Sequence, residues 1–284
     1  MIVNKEEHLK YLFAFKEGKI QRGLGIGNEL DRWYVHKRGT FTVIVGLDNV
    51  GKTNFMLWYF LCLSVKHNVK WLIWSGENSA GQLTRDLIQM YSQNKLVDLN
   101  KLEIEEYYNK IAEWFTFVSN KKMYNHKDLL KLFKESKYDA CAIDPFTGLN
   151  HDRRVNQYER NYLRCNDIRE FCNTTGKAIY VMTHPMTESA RRVYPPNHEY
   201  AGYIQPPRKS DIEGGQVFAN RCDSLLSIHR FINSPESWMM TQVRIEKIKD
   251  KETGGTPTLD KPLCFDYNKG LGFTIGGINV LKNK

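Results

Sequence analysis

An α/β fold, with a mainly parallel twisted sheet flanked by helices and antiparallel hairpin strands at the C-terminal end, is what this 284-residue sequence predicts. Three observations carry that expectation. Short β-branched and aromatic runs alternate with helical stretches from residue 40 to residue 183, and strands separated by helices imply a parallel sheet covered on both faces. A glycine-rich loop, Gly46-Leu47-Asp48-Asn49-Val50-Gly51-Lys52-Thr53, lies between the first of those strands and an apolar helix. Beyond residue 212 the helices give way to strands joined by turns such as Thr253-Gly254-Gly255.

In order, Leu9, Leu12, Phe13 and the neighbouring Tyr11 set against Lys5, Glu6, Lys10 and Lys16 predict an amphipathic helix over 5–17, ended by Gly18. Gly23, Gly25 and Gly27 make the next segment loop-like. Strand 40–46 leads through the glycine-rich loop into helix 52–66, and strand 69–75 into helix 80–93. A helix near 103–113, strand 114–118, helix 126–136, strand 138–144, helix 157–175 and strand 177–183 complete the alternation. Residues 185–212, with Pro195, Pro196, Pro206 and Pro207, several tyrosines and scattered Arg and Lys, read as a long loop of the functional kind. Strands near 224–230, 238–248, 257–267 and 272–275 finish the chain.

Composition bounds the function. An apolar fraction of 41% suffices for a packed core. No run reaches the 18 apolar residues of a membrane span. The N-terminus lacks the apolar stretch of a signal peptide. Six scattered cysteines with no C-x-x-C pair argue for a reducing cytoplasm and against a zinc site. The net charge of +9 admits a polyanionic partner, although a basic surface is often only solubility.

The loop matches G-x-x-x-x-G-K-[ST] in the strand–loop–helix setting that binds phosphate. Backbone N–H groups there curl around an anion at a helix N-terminus. Gly46, Asn49, Val50, Gly51, Lys52, Thr53 and Asn54 are therefore assigned to a nucleoside triphosphate, ATP or another NTP. Lys52 reaches its outer phosphates and Thr53 ligates Mg²⁺. Asp144 ends a hydrophobic strand, where a second contact to Mg²⁺ belongs, although an Asp before Pro145 also suits a turn. Glu77 follows strand 69–75 and is either the base for an attacking water or a first-turn acid of the next helix. His184 closes strand 177–183, as a hydrogen-bonding sensor of the γ-phosphate or as a structural residue. In the long loop, Arg191, Arg192, Arg208 and Lys209 alternate with Tyr194, Tyr200 and Tyr203. Phosphate neutralisation and base stacking on single-stranded DNA would use these residue types, and so would an incidental surface loop.

The order of these features resembles the RecA-like ATPase core of ring-shaped replicative DNA helicases: the DnaB family, phage primase-helicases and Twinkle-type enzymes. The match runs from about residue 20 to 276. The resemblance implies a P-loop NTPase core over 39–284, preceded by a helix and linker segment over 1–38. It implies that Glu77 is the catalytic base, Asp144 the metal-binding acid and His184 the sensor in Thr183-His184-Pro185. Ser210–Gln216 and Asn220–Arg230 are similar to the family's channel-lining segment and its return strand, and Arg230 and Tyr267 match positions flanking the nucleotide base. The family's K-x-R element aligns on Lys247-Ile248-Lys249, so a lysine stands where the arginine finger belongs. A lysine supplies charge without a rigid fork. Lys247 and Lys249 would reach a neighbour's nucleotide, unless they are solvated edge-strand lysines, in which case Arg244 is the nearest substitute.

The resemblance thus implies an ATP-hydrolysing helicase acting as a homo-oligomer, a hexameric ring, on single-stranded DNA. A separate primase or loader would be its partner, with no membrane association, in the cytoplasm of a bacterial host if the chain is phage-encoded. A filament-forming recombinase and a nucleotide-switched loader are the alternatives.

Overall fold

The computed structural model describes residues 4–20, 22–150, 155–259 and 261–282; residues 1–3 of the predicted N-terminal segment lie outside them. In chain order the elements are α1 (Lys5–Lys16), α2 (Leu30–Trp33), β1 (Phe41–Val45), α3 (Lys52–His67), β2 (Trp71–Ser75) and α4 (Ala80–Ser92). Next come α5 (Lys101–Ala112), β3 (Phe115–Val118), α6 (His126–Glu135), β4 (Ala140–Asp144), α7 (Gln157–Thr175) and β5 (Ala178–Thr183). The last are α8 (Val217–Arg221), β6 (Ser224–Arg230), β7 (Met240–Ile248), α9 (Lys251–Gly254), β8 (Leu263–Tyr267) and β9 (Phe273–Thr274).

One sheet runs β3-β2-β4-β5-β1-β6-β7-β8-β9. Its first six strands are mutually parallel, and β7, β8 and β9 are added antiparallel. Alternation along each central strand builds two cores. On β1, Ile44 faces a layer with Phe55, Trp58 and Phe60 of α3 and Leu87 of α4. Phe41, Val43 and Val45 face Leu129 and Phe133 of α6, Ile168 and Phe171 of α7 and Phe218 of α8. Both faces are covered, which is why these strands read as unbroken apolar runs.

Several boundaries differ from the sequence expectation for local reasons. α5 begins at Lys101, before the predicted 103, because the Asn100 side chain accepts from Glu103 N and the Glu103 carboxylate accepts from Asn100 N. The predicted strand over 257–267 is ordered as β8 only from Leu263. Its first half makes other bonds: Thr258 N donates to Ile245 O at 3.1 Å, just after Thr256 N donates to Trp33 O at 3.0 Å. The predicted turn at Thr253-Gly254-Gly255 is instead the helical turn α9 followed by a bridge from Gly255 to Tyr34. Gly255 has φ +114°, and a Cβ there would lie 2.1 Å from Trp33 O, so only glycine fits.

At the N-terminus, α1 buries none of its residues, and Tyr11, Leu12, Phe13 and Phe15 are all exposed. By contrast Leu30, Tyr34, Val35 and His36 lie in the interior. Among the described residues, no helix is long and apolar enough to cross a membrane.

Candidate active site

Because β1, β2, β4 and β5 are parallel, the loops leaving them meet at one edge of the sheet, the edge where ligands of such sheets bind. The glycine-rich loop leaves β1 there. Asn49 and Gly51 both hold positive φ, 60° and 85°, so the loop turns tightly before α3. Gly46 is sterically required as well: a Cβ would sit 2.5 Å from Ile228 O. Lys52 opens α3 and is 7% exposed. Its Nζ donates to Gly46 O at 2.8 Å and Leu47 O at 2.7 Å, and burial pulls its pKa down. An arriving phosphate would give that ammonium a far stronger acceptor than two carbonyls.

Thr53 Oγ1 donates to Asp144 Oδ2 at 2.6 Å. Asp144 is 3% exposed, and burial is the main reason its carboxyl titrates above the ordinary value, with Glu77 adding to the rise. A hydroxyl and a buried carboxylate in contact form an oxygen donor pair of the kind Mg²⁺ takes, so these two residues fit that ion. The β2–β4 register aligns Ser75 with Asp144, and Gly76 N donates to Asp144 O at 2.8 Å. Glu77 therefore emerges beside Asp144. Its turn is fixed by Asn78 N donating to Ser75 Oγ at 3.0 Å, and the Ser79–Gln82 capping box then starts α4.

His184 follows β5. Its Nδ1 lies 2.8 Å from Asp48 Oδ1, an ion-pair distance off the direction of a hydrogen bond, and its Nε2 lies 3.8 Å from Glu77 Oε1. Lys52, Thr53, Asn54, Glu77, Asp144 and His184 together line one cleft of about 830 Å³. Asn49 and Gly51 line it too, while Gly46 and Val50 support the loop from behind, Val50 being buried at 2% exposure. The cleft also contains Asp48, Asp86, Thr147 and Thr187, which the sequence alone does not mark for a role, and Glu213 of the segment expected to line a DNA channel. Asp48 stands inside the motif itself, at one of its unspecified positions; nothing local marks Asp86.

Other candidates lie outside the lining of that cleft, Arg230 against the back of Gly51. Arg230, on β6, has its guanidinium 4.1 Å from the centroid of the Tyr267 ring and bonds Thr241 Oγ1 at 2.9 and 3.1 Å. The two residues expected to flank a base are thus closed on each other, and a base would stack on their outer side or separate them. Lys247 and Lys249 stand at the end of β7 that pairs with Ser224, the opposite edge of the sheet from Lys52. Lys247 Nζ donates to Ala219 O at 2.6 Å and Cys222 O at 2.7 Å, which ties it to the end of α8. The Lys249 side chain is 65% exposed, 3.9 Å from Asp223. Arg244 is buried at 7% exposure and donates to Leu259 O at 3.3 Å.

The segment 185–212 is more ordered than a loop. Pro185 bridges Ile212 and Val193 bridges Ile204, and Glu213 N donates to His184 O at 3.0 Å. Tyr194, Tyr200 and Tyr203, expected to offer stacking faces, pack around Phe231 at centroid distances of 6.3, 4.5 and 5.5 Å. Their hydrophobic area is better satisfied there than in water. Arg192 pairs with Asp211, and Arg208 is 3.4 Å from Glu246. Arg191 and Lys209 are exposed with no side-chain ion pair among the described residues.

No protein-family model matches the chain. The Twinkle homolog protein, chloroplastic/mitochondrial, of Arabidopsis thaliana is 24% identical over 262 residues, 85% of this chain. The chain spans only 35% of that relative's length. A solved ATPase domain superposes with a TM-score of 0.77 at 16% identity, covering 97% of this chain and 99% of that one. A DnaB-like replicative helicase, solved in a study of its interactions with primase, gives 0.74 at 15% identity over 96% of this chain and 67% of its own. The RadB recombinase gives 0.57 at 15% identity over 88% and 98%. The chain shares the fold of that ATPase domain and of that DnaB-like helicase.

Proposed function

We propose that this chain is the motor domain of a replicative-type DNA helicase, which binds an NTP with Mg²⁺ in the cleft at the end of β1 and hydrolyses it while moving along single-stranded DNA as a ring. The observation that carries this reading is the convergence of Lys52, Thr53, Glu77, Asp144 and His184, from four separate elements, on one cleft. The similarity to DnaB-like and Twinkle proteins supports it, and the lower overlap with RadB leaves the recombinase reading weaker.

In this mechanism Lys52 leaves the Gly46 and Leu47 carbonyls to neutralise the outer phosphates. Thr53 and Asp144 would hold Mg²⁺, which when bound draws charge from the phosphate oxygens. Glu77, with its side chain 58% exposed, accepts a proton from the attacking water. His184 donates to the γ-phosphate and passes its loss through Glu213 N and the Pro185–Ile212 bridge into the 185–212 segment, where Arg191 and Lys209 meet DNA. Lys249 serves a neighbour, since it stands at the far end of β7 from its own cleft. The uncovered apolar side of α1 suits docking on an adjoining subunit.

The test is the hydrolysis rate with and without single-stranded DNA, for wild type and Glu77→Gln. The variant should lose at least about 100-fold while still binding nucleotide; an unchanged rate would refute Glu77 as the base. Unwinding of a forked duplex then separates a helicase from a nucleotide-operated switch.

A further inference from the structure

The cleft is acidic for a site meant to take a polyanion. Five carboxylates line it (Asp48, Glu77, Asp86, Asp144 and Glu213), against the ammonium of Lys52 and the imidazole of His184. Asp144 has Thr53 as its partner. Asp48 differs, because it belongs to the phosphate loop and its side chain is 81% exposed, yet it approaches His184 Nδ1 to 2.8 Å. His184 is only 20% exposed, and its other nitrogen faces Glu77. The chain itself therefore sets an anionic neighbour on each side of the imidazole.

We propose that Asp48 is a positioning residue that latches His184 in place of the γ-phosphate, so that it sets the preference of the cleft for triphosphate over diphosphate. This rests on the reading of the cleft as an NTP site. A γ-phosphate and the Asp48 carboxylate are both anions competing for one imidazole face, so a triphosphate binds only by driving Asp48 aside. A diphosphate leaves the pair intact. After hydrolysis and loss of phosphate, Asp48 retakes Nδ1, and the backbone of His184, bonded to Glu213 N at 3.0 Å, returns with it. The exchange is facile because Asp48 is solvated: an exposed ion pair is weak enough to be displaced.

The test is equilibrium binding of a non-hydrolysable ATP analogue and of ADP, each with Mg²⁺, to wild type, Asp48→Asn, His184→Ala and the double variant. Asp48→Asn should tighten the ATP analogue about three- to fivefold, the range of one partly exposed ion pair, and change ADP by less than about twofold. In the His184→Ala background the same substitution should have no selective effect, since neighbouring groups acting through each other are non-additive. Equal tightening of both nucleotides, or a selective effect that persists without His184, overturns the latch in favour of general charge relief. Failure of wild type to bind either nucleotide overturns the NTP-site reading itself. As a readout without nucleotide, the ring ¹⁵N shifts of His184 should move in Asp48→Asn; unmoved shifts also overturn the proposal.

Discussion

Thr53 Oγ1 and Asp144 Oδ2 are joined by a 2.6 Å hydrogen bond that ties the first turn of α3 to the end of β4 across the cleft. The bond favours the ionised carboxylate, but burial outweighs it. The Asp144 carboxyl titrates above its ordinary value, chiefly through burial.

For an acid whose folded-state pKa is raised, the favourable contribution is full below the unfolded value and is lost as pH rises through the folded one. Asp144 therefore contributes less to the fold as pH rises, more so where Lys52 and any bound cation do not offset its charge. Asp144→Asn keeps an oxygen to accept from Thr53 and removes the charge. We expect it to melt about 2–4 °C higher than wild type near pH 7.5, the gap closing towards pH 4, and to lose the added stability that Mg²⁺ and nucleotide give wild type. Thermal melts across pH check this; a variant less stable than wild type at pH 7.5 contradicts it.

Acid sensitivity has a separate source. His36 is 1% exposed, lies 2.7 Å by Nδ1 from the Tyr180 hydroxyl, and has its pKa lowered to about 3, chiefly by burial. His229 is lowered to about 4 for the same reason. A depressed histidine contributes stability that is fully present above the unfolded value of about 6.5 and drains away as pH falls towards the folded value. Each should add a slope of about 1.4 kcal/mol per pH unit below pH 6. His36→Phe lowers stability at pH 7.5 by losing the Tyr180 bond, but should make the decline between pH 6 and 5 shallower. Urea denaturation at stepped pH measures the slope; an unaltered slope in the variant rules His36 out as the cause.

What the sequence made legible was whatever is contiguous or periodic. The glycine-rich loop carries its own strand and helix, and the apolar runs of β1, β2, β4 and β5 sit in the two-sided core that makes them apolar. Asp144 and His184, both at strand ends, line the same cleft because parallel strands bring such ends together. Illegible were contacts decided by register. Arg230 meets Tyr267 because β7 spaces β6 from β8, an arrangement no local pattern encodes. The tyrosines of 194–203 looked free only because Phe231, their packing partner, comes from the turn after β6.

The paired lysines at the end of β7 were alike in sequence and are unlike in structure, which gives a discriminating prediction. Lys247 spends its ammonium on the Ala219 and Cys222 carbonyls that end α8, so Lys247→Ala removes two charge-assisted hydrogen bonds and leaves Ala219 O only the weak Cys222 Sγ donor. It should destabilise the fold by about 1–2 kcal/mol, the usual cost of unmade hydrogen bonds. Lys249 is 65% exposed beside Asp223 at 3.9 Å, a contact too solvated to matter to stability. Lys249→Ala should therefore melt with wild type, yet lose hydrolysis in the assembled protein if Lys249 completes a neighbour's site. Lys249→Arg should restore or exceed wild-type turnover, because a guanidinium grips phosphoryl oxygens in two-pronged fashion where an ammonium is a point charge. Melting curves and assembled-state hydrolysis rates on the three variants separate the roles. Normal turnover in assembled Lys249→Ala would leave the trans-acting part to another residue, and an unaltered melt in Lys247→Ala would show the α8 tether to be dispensable.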